Sequence, residues 1–153
     1  MISNKIRYVH TNLIAKDWKR LADFYIKTFG CEPVYPERHL HGAWVDQMTT
    51  LQNVTIDGIH LRLPGCENGP TLEIFQYQPA DYHVNVEGIN TQGFGHLAFH
   101  VDSVSKVLEI LLRHGGTQLG DVVTTEFTGL GKLTVVYTAD PEGNYIELQN
   151  WSK

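Results

Sequence analysis

Two histidines and two glutamates in this chain have the chemistry and the placement to share one metal ion: His10 and Glu73 in its first half, His96 and Glu147 in its second. Two neutral imidazoles and two carboxylates form a donor set suited to Zn, Ni, Co, Mn or Fe(II), with no thiolate to select a soft ion. Such an ion polarises adjacent substrate oxygens, and a carboxylate next to it can take or return a proton. Singly, either glutamate would be an ordinary polar residue alternating along a half-buried strand. The four are joined by an internal repeat.

Tyr8–Ile14 and Asp17–Gly30 align without a gap on Phe94–His100 and Ser103–Gly116, at a constant offset of 86 that carries His10 onto His96. Each copy reads as a strand, a turn and a helix. In the first, Trp18, Leu21, Ala22, Tyr25 and Phe29 make one apolar helical face, Asp17 is the N-cap and Gly30 the left-handed stop. The second uses Val104, Val107, Leu108 and Leu111, with Asp102 or Ser103 as cap and Gly115–Gly116 as end. A β-hairpin follows in each: Ile59–Leu63 with Thr71–Tyr77, and Leu133–Thr138 with Tyr145–Gln149, now at an offset of 74 that carries Glu73 onto Glu147. The extra residues of the first copy are assigned to Tyr35–Gln52, a polar and aromatic stretch read as a lid or substrate loop, in which Trp44 is either a pocket cap or a surface anchor. Asp140–Asn144 is read as a turn whose acidic residues need no other role.

The pattern predicts an α+β fold of two tandem βαβββ modules forming a concave, partly closed mixed sheet with helices on the outside. It is read as a single domain over 1–153, with module one at about 6–78, a linker at about 79–92 and module two at about 93–150. Side chains two apart on a strand share a face, so Asn12 lies with His10, Phe75 and Tyr77 with Glu73, and Gln149 with Glu147; these four are candidate substrate contacts. His96 and His100 imitate the spacing of helical zinc sites, but four residues along a strand span roughly 13 Å, too far to share an ion. His39, His41, His60, His83 and His114 are assigned surface or structural roles.

Twelve Lys and Arg against seventeen Asp and Glu give a net charge of -5, and the basic residues are scattered, which argues against nucleic acid as a partner. The N-terminal residues lack the apolar run of a signal peptide, and no stretch approaches a membrane span; a cytoplasmic protein is expected. Cys31 and Cys66 have neither metal-site nor redox-motif spacing and are read as reduced thiols.

These residues resemble the vicinal oxygen chelate superfamily, which includes glyoxalase I, methylmalonyl-CoA epimerase, fosfomycin-resistance proteins and extradiol dioxygenases. The resemblance is carried by His10-Thr11, Lys16-Asp17-Trp18, Phe24-Tyr25 and Phe29-Gly30, by Leu72-Glu73-Ile74-Phe75, by Gly95–Asp102, and by Asp140–Leu148. It implies His10, Glu73, His96 and Glu147 as the metal ligands, a set that looks most like that of glyoxalase I. Glyoxalase I is a lyase that isomerises a glutathione hemithioacetal by proton abstraction next to a carbonyl, with a metal-stabilised enediolate. Glu147 is taken as the base, with Glu73 the alternative. Glyoxalase I carries an Arg and an Asn, both glutathione contacts, where this chain has Ile14 and Tyr77, which implies a less anionic substrate. Family members of this size close their sites by pairing, so a homodimer acting on a small molecule is expected. Two other functions fit the scaffold: an Fe(II) extradiol-type dioxygenase, and a metal-free protein that binds small molecules such as antibiotics.

Overall fold

The computed structural model describes residues 6–82 and 88–153, so His83 and Asn85 of the expected linker lie outside it. The chain divides into two compact units, Met1–Tyr82 and His83–Lys153. The α+β fold of tandem βαβββ modules follows the sequence expectation, each module building a four-stranded mixed sheet of its own. No helix among the described residues is long and apolar enough to cross a membrane.

Module one runs β1 (His10–Ile14), α1 (Trp18–Phe29), β2 (Glu32–His41), α2 (Ala43–Thr49), β3 (Thr55–Arg62) and β4 (Thr71–Gln78), with sheet order β1-β4-β3-β2. Asp17 Oδ1 accepts the Arg20 amide at 3.1 Å, and Gly30 ends the helix at φ 69°. The buried side of α1, with Leu21 and Tyr25 fully shielded, lies on β3 and β4, where Ile59, Leu61, Leu72 and Ile74 form the opposing layer. A helix followed by a return strand lets β1 pair in parallel with β4; the Ala15 amide extends that ladder to the Phe75 carbonyl at 2.7 Å.

Module two repeats the plan with β5 (Leu97–His100), α3 (Val104–Arg113), β6 (Thr117–Phe127), β7 (Gly131–Ala139) and β8 (Tyr145–Ser152), in the order β5-β8-β7-β6. Ser103 is the cap, its Oγ accepting the Lys106 amide at 3.4 Å. Val104, Leu108 and Leu111 are buried on α3, as are Val136, Ile146 and Leu148 on the strands. The Val101 amide bonds the Gln149 carbonyl at 2.8 Å, the counterpart of the Ala15 contact. Both outer strands also break register at matching places, between Val34 and Arg38 in β2 and between Leu119 and Val123 in β6.

Two readings of the sequence are corrected. Tyr35–Gln52 is not a loop: Tyr35–His41 completes β2, and α2 fills most of the remainder, its Val45 packed with Val54, Ile56 and Phe75. Trp44 on α2 is about half exposed. The hairpins also differ in turn length, so that residues opposite the two glutamates do not share the offset of 74. His60 pairs with Glu73, whereas Tyr137 pairs with Glu147.

Asp140 is almost completely buried and organises the turn it begins. Its Oδ1 accepts the Glu142 and Asn144 amides at 2.9 and 3.0 Å, and its Oδ2 accepts the Asn144 side-chain amide at 2.8 Å. Hydrogen bonds to a charged acceptor contribute about 1.5–3 kcal/mol each, and Asp140→Ala strands several donors at once. Urea denaturation is therefore expected to show a loss of about 2–4 kcal/mol for Asp140→Ala, and much less for the exposed Asp121→Ala.

Both cysteines are free; burial pushes the Cys31 thiol up to about 11, while Cys66 is partly exposed. A raised thiol pKa keeps the protonated, unreactive form dominant at neutral pH. Native protein treated with iodoacetamide near pH 8 should be alkylated at Cys66 alone, and at both sites in denaturant, as read by peptide mass spectrometry.

Candidate metal centre

In module one, three neighbouring strands supply the donors from one face of the sheet. The register sets His10 beside Thr71, Asn12 beside Glu73, and Glu73 opposite His60. Residues 72 and 74 turn their side chains to α1, so Thr71, Glu73, Phe75 and Tyr77 point to the other face. There His10 Nε2 stands 3.0 Å and His60 Nε2 3.6 Å from Glu73 Oε2, with the two imidazoles edge to face at 5.5 Å. The donor atoms of His10, His60 and Glu73 all lie within 4.8 Å of one another, a grouping that could hold a metal ion.

The surroundings fix these rings. Thr71 Oγ1 is 2.9 Å from His60 Nδ1, and the Phe75 ring stands perpendicular to the His60 ring at 6.0 Å. Burial pushes the His60 pKa down, and the charges of Arg38 and His10 push the same way against the opposing pull of Glu73. The Glu73 side chain is only 8% exposed. A buried carboxylate needs hydrogen bonds or a cation to offset its lost hydration. With two imidazole nitrogens beside it, the chemistry of the donors fits a borderline divalent ion.

Module two builds the same arrangement with one change. His96 Nε2 lies 3.2 Å from Glu147 Oε2, and its ring meets Tyr137 edge to face at 5.1 Å. His96 is two residues before Ala98, the parallel partner of Glu147, just as His10 is two before Asn12. The third corner is Tyr137, whose hydroxyl donates to Glu147. Burial raises its phenol pKa above the ordinary value, and the charge and hydrogen bond of Glu147 add to the shift.

Each expected His–Glu pair is thus brought into contact within its module. Asn12 and Ile14 are exposed on the His10 face, next to the parallel partners Glu73 and Phe75. Phe75 is buried against Val45, Val54 and Ile56, with Tyr77 packed on that cluster. The Tyr77 pKa is raised, by burial first and then by Glu73. Gln149 accepts the Trp151 indole N–H at 2.9 Å. The assignment of His60 to an incidental role is corrected: it is a member of the donor cluster. Counting residues back across each hairpin turn from the glutamate would have found it, because the antiparallel partner of a ligand shares its face. A fixed offset concealed this, since the turn before Thr71 is longer than the turn before Tyr145. His39 pairs with Asp57 on the opposite side of β3, and His41 neighbours His39; both are exposed.

The sequence matches the Glyoxalase/Bleomycin resistance protein/Dioxygenase superfamily over residues 7–148. The chain belongs to this superfamily. Solved structures agree in fold. A glyoxalase family protein from Bacillus cereus is 19% identical, with a TM-score of 0.79 over 100% of this chain and 99% of that one. A glyoxalase family protein from Enterococcus faecalis is 24% identical, with a TM-score of 0.57 over 97% and 99%. A glyoxalase/bleomycin resistance protein/dioxygenase family enzyme from Burkholderia phytofirmans is 15% identical, with a TM-score of 0.61 over 96% and 100%. No curated protein matches the sequence. Superfamily membership includes both enzymes and binding proteins, so the activity rests on the site itself.

Gly58 keeps the face of the first module's site in shape. A Cβ there would collide with the Ile74 carbonyl oxygen and the Phe75 ring, the ring that also packs on His60. Overpacking of this kind costs about 1–3 kcal/mol. Gly58→Ala is expected to lower the unfolding free energy from urea denaturation by that amount, with Gly95→Ala as the comparison, where a Cβ meets nothing and the backbone is not left-handed.

Proposed function

We propose that this protein is a metal-dependent lyase or isomerase of glyoxalase I type, abstracting a proton next to a carbonyl, with His10, Glu73, His96 and Glu147 as ligands of one divalent ion. The observation that carries this reading is that both modules fold a His and a Glu into contact at equivalent points, 3.0 Å apart in one and 3.2 Å in the other. When bound, the ion supplies Lewis-acid polarisation of adjacent substrate oxygens, which acidifies the carbon between them. Glu147 is the base. Its side chain is twice as exposed as that of Glu73, 16% against 8%, so it is the carboxylate with access to substrate. Tyr137 holds Glu147 by a hydrogen bond and keeps one oxygen oriented for proton transfer. Asn12 and Ile14 lie on the His10 face as substrate contacts, with Phe75, Tyr77 and Gln149 completing the set. Ile14 and Tyr77 offer no positive charge, which favours a thiol adduct less anionic than that of glutathione.

The protein is further proposed to act as a cytoplasmic homodimer. Every residue of β6 is exposed, including Leu119, Val122, Val123 and Phe127, and together with Leu130 and Trp151 they give module two an apolar surface for a second copy. A second functional reading is favoured by the His10, His60 and Glu73 cluster: two imidazoles and one carboxylate also suit Fe(II) oxygen chemistry of the extradiol type.

Mass spectrometry of freshly purified, untagged protein is expected to find about one divalent ion per chain. Methylglyoxal equilibrated with a series of thiols should then give a thioester, read by ultraviolet absorbance. Glu147→Gln is expected to retain the ion and lose about 10²–10⁴-fold in turnover. Iron together with oxygen uptake on catechols would instead support the dioxygenase. Absence of an ion, even after reconstitution, would leave a metal-free binding protein.

A further inference from the structure

We propose that His60 is a metal ligand, so that His10, His60 and Glu73 form a two-histidine, one-carboxylate site complete within the first module. This rests on the reading above only in requiring that the protein bind a divalent ion. It goes beyond that reading by adding a donor and by assigning the primary grip on the ion to one module.

The register supplies the first argument. β1, β4 and β3 are adjacent, and the pairings of His10 with Thr71 and of His60 with Glu73 gather the three donors on neighbouring strands of one sheet. Rigid strands hold such a constellation better than loops do. The distances supply the second. Two donors bound at right angles, each about 2.1 Å from an ion, stand roughly 3 Å apart. Glu73 Oε2 lies 3.0 Å from His10 Nε2 and 3.6 Å from His60 Nε2. The longer contact exceeds hydrogen-bond range, so a proton shared between His60 and Glu73 does not account for their approach.

Thr71 supplies the third. Nδ1 stands 2.9 Å from Thr71 Oγ1, and in the tautomer that donates there His60 keeps its lone pair on Nε2, the atom that faces Glu73. A ligating histidine ordinarily anchors its other ring nitrogen in this way. Perpendicular contact with Phe75 fixes the ring plane as well. Among the described residues of module two this third donor is absent. Tyr137 occupies the corresponding corner and uses its hydroxyl on Glu147, so the described residues of that corner offer one imidazole and one carboxylate. The modules therefore differ, the first suited to holding an ion and the second to positioning a carboxylate.

The test uses the full-length chain, stripped of metal and titrated with Co(II), followed by calorimetry and by the visible absorption of the bound ion. The double variant His96→Ala/Glu147→Gln should still bind about one Co(II) per chain. Adding His60→Asn, which can keep the bond to Thr71 but has no Nε2, should abolish that binding. In the otherwise unaltered protein, His60→Asn should weaken Co(II) at least about 10–100-fold and change its absorption spectrum, while Thr71→Val should weaken it about tenfold. Circular dichroism and urea midpoints of each variant separate loss of a donor from loss of fold. Unchanged affinity and spectrum in folded His60→Asn would overturn the proposal. So would a folded double variant that binds no ion. If the unaltered protein itself takes up no Co(II), the metal reading as a whole fails, which is a different result from either.

Discussion

Parallel pairing of the first and last strands of each module is the constraint on which the site depends. A strand that lies parallel to its neighbour cannot reach it by a tight turn, so a helix must intervene, and in both modules that helix covers one face of the sheet. The other face is left for chemistry. Because the histidine comes two residues before the partner of the glutamate in both modules, the same pairing yields the same His–Glu contact twice. A shift of one residue in either strand would turn the imidazole or the carboxylate into the packed layer.

The face opposite the helix is not equally covered in the two halves. Module one carries α2 between β2 and β3, and its Val45 joins Val54, Ile56 and Phe75 in an apolar cluster beside the donors. Gly58 permits Phe75 to lie close against β3, and Phe75 in turn meets His60. Module two connects its corresponding strands by a short turn, and its β6 is exposed along its whole length. The same module plan thus carries a sheltered donor cluster in one copy and a more open carboxylate with a tyrosine partner in the other. Acid–base chemistry at a metal profits from such inequality, since a ligand that must also move a proton is better placed where it is less tightly enclosed.

Much of this was legible in the residue order. Helical periodicity and caps located α1 and α3, with Asp17 and Ser103 bonding the amides expected of them. Alternation located β1, β4 and β8, and the repeat singled out His10, Glu73, His96 and Glu147 from seventeen acidic residues and eight histidines. Local rules suffice there, because capping, periodicity and strand alternation each act over a few residues. The same rules misjudged Tyr35–Gln52. Its polar and aromatic composition lacks a clear period, and its order comes from pairing with β3 and from burying Val45, neither of which is a local property.

The sequence by itself determined the repeat, the class of fold and the two His–Glu pairs, since these follow from side-chain type and spacing along one chain. Only the tertiary structure decided that His60 joins the first pair and Tyr137 the second. That choice lies in the cross-strand register, which is set by the length of a hairpin turn and by which face each strand buries against its helix. A side chain's neighbours along the chain are fixed by the order of residues, whereas its neighbours across a sheet are fixed only when the strands pair.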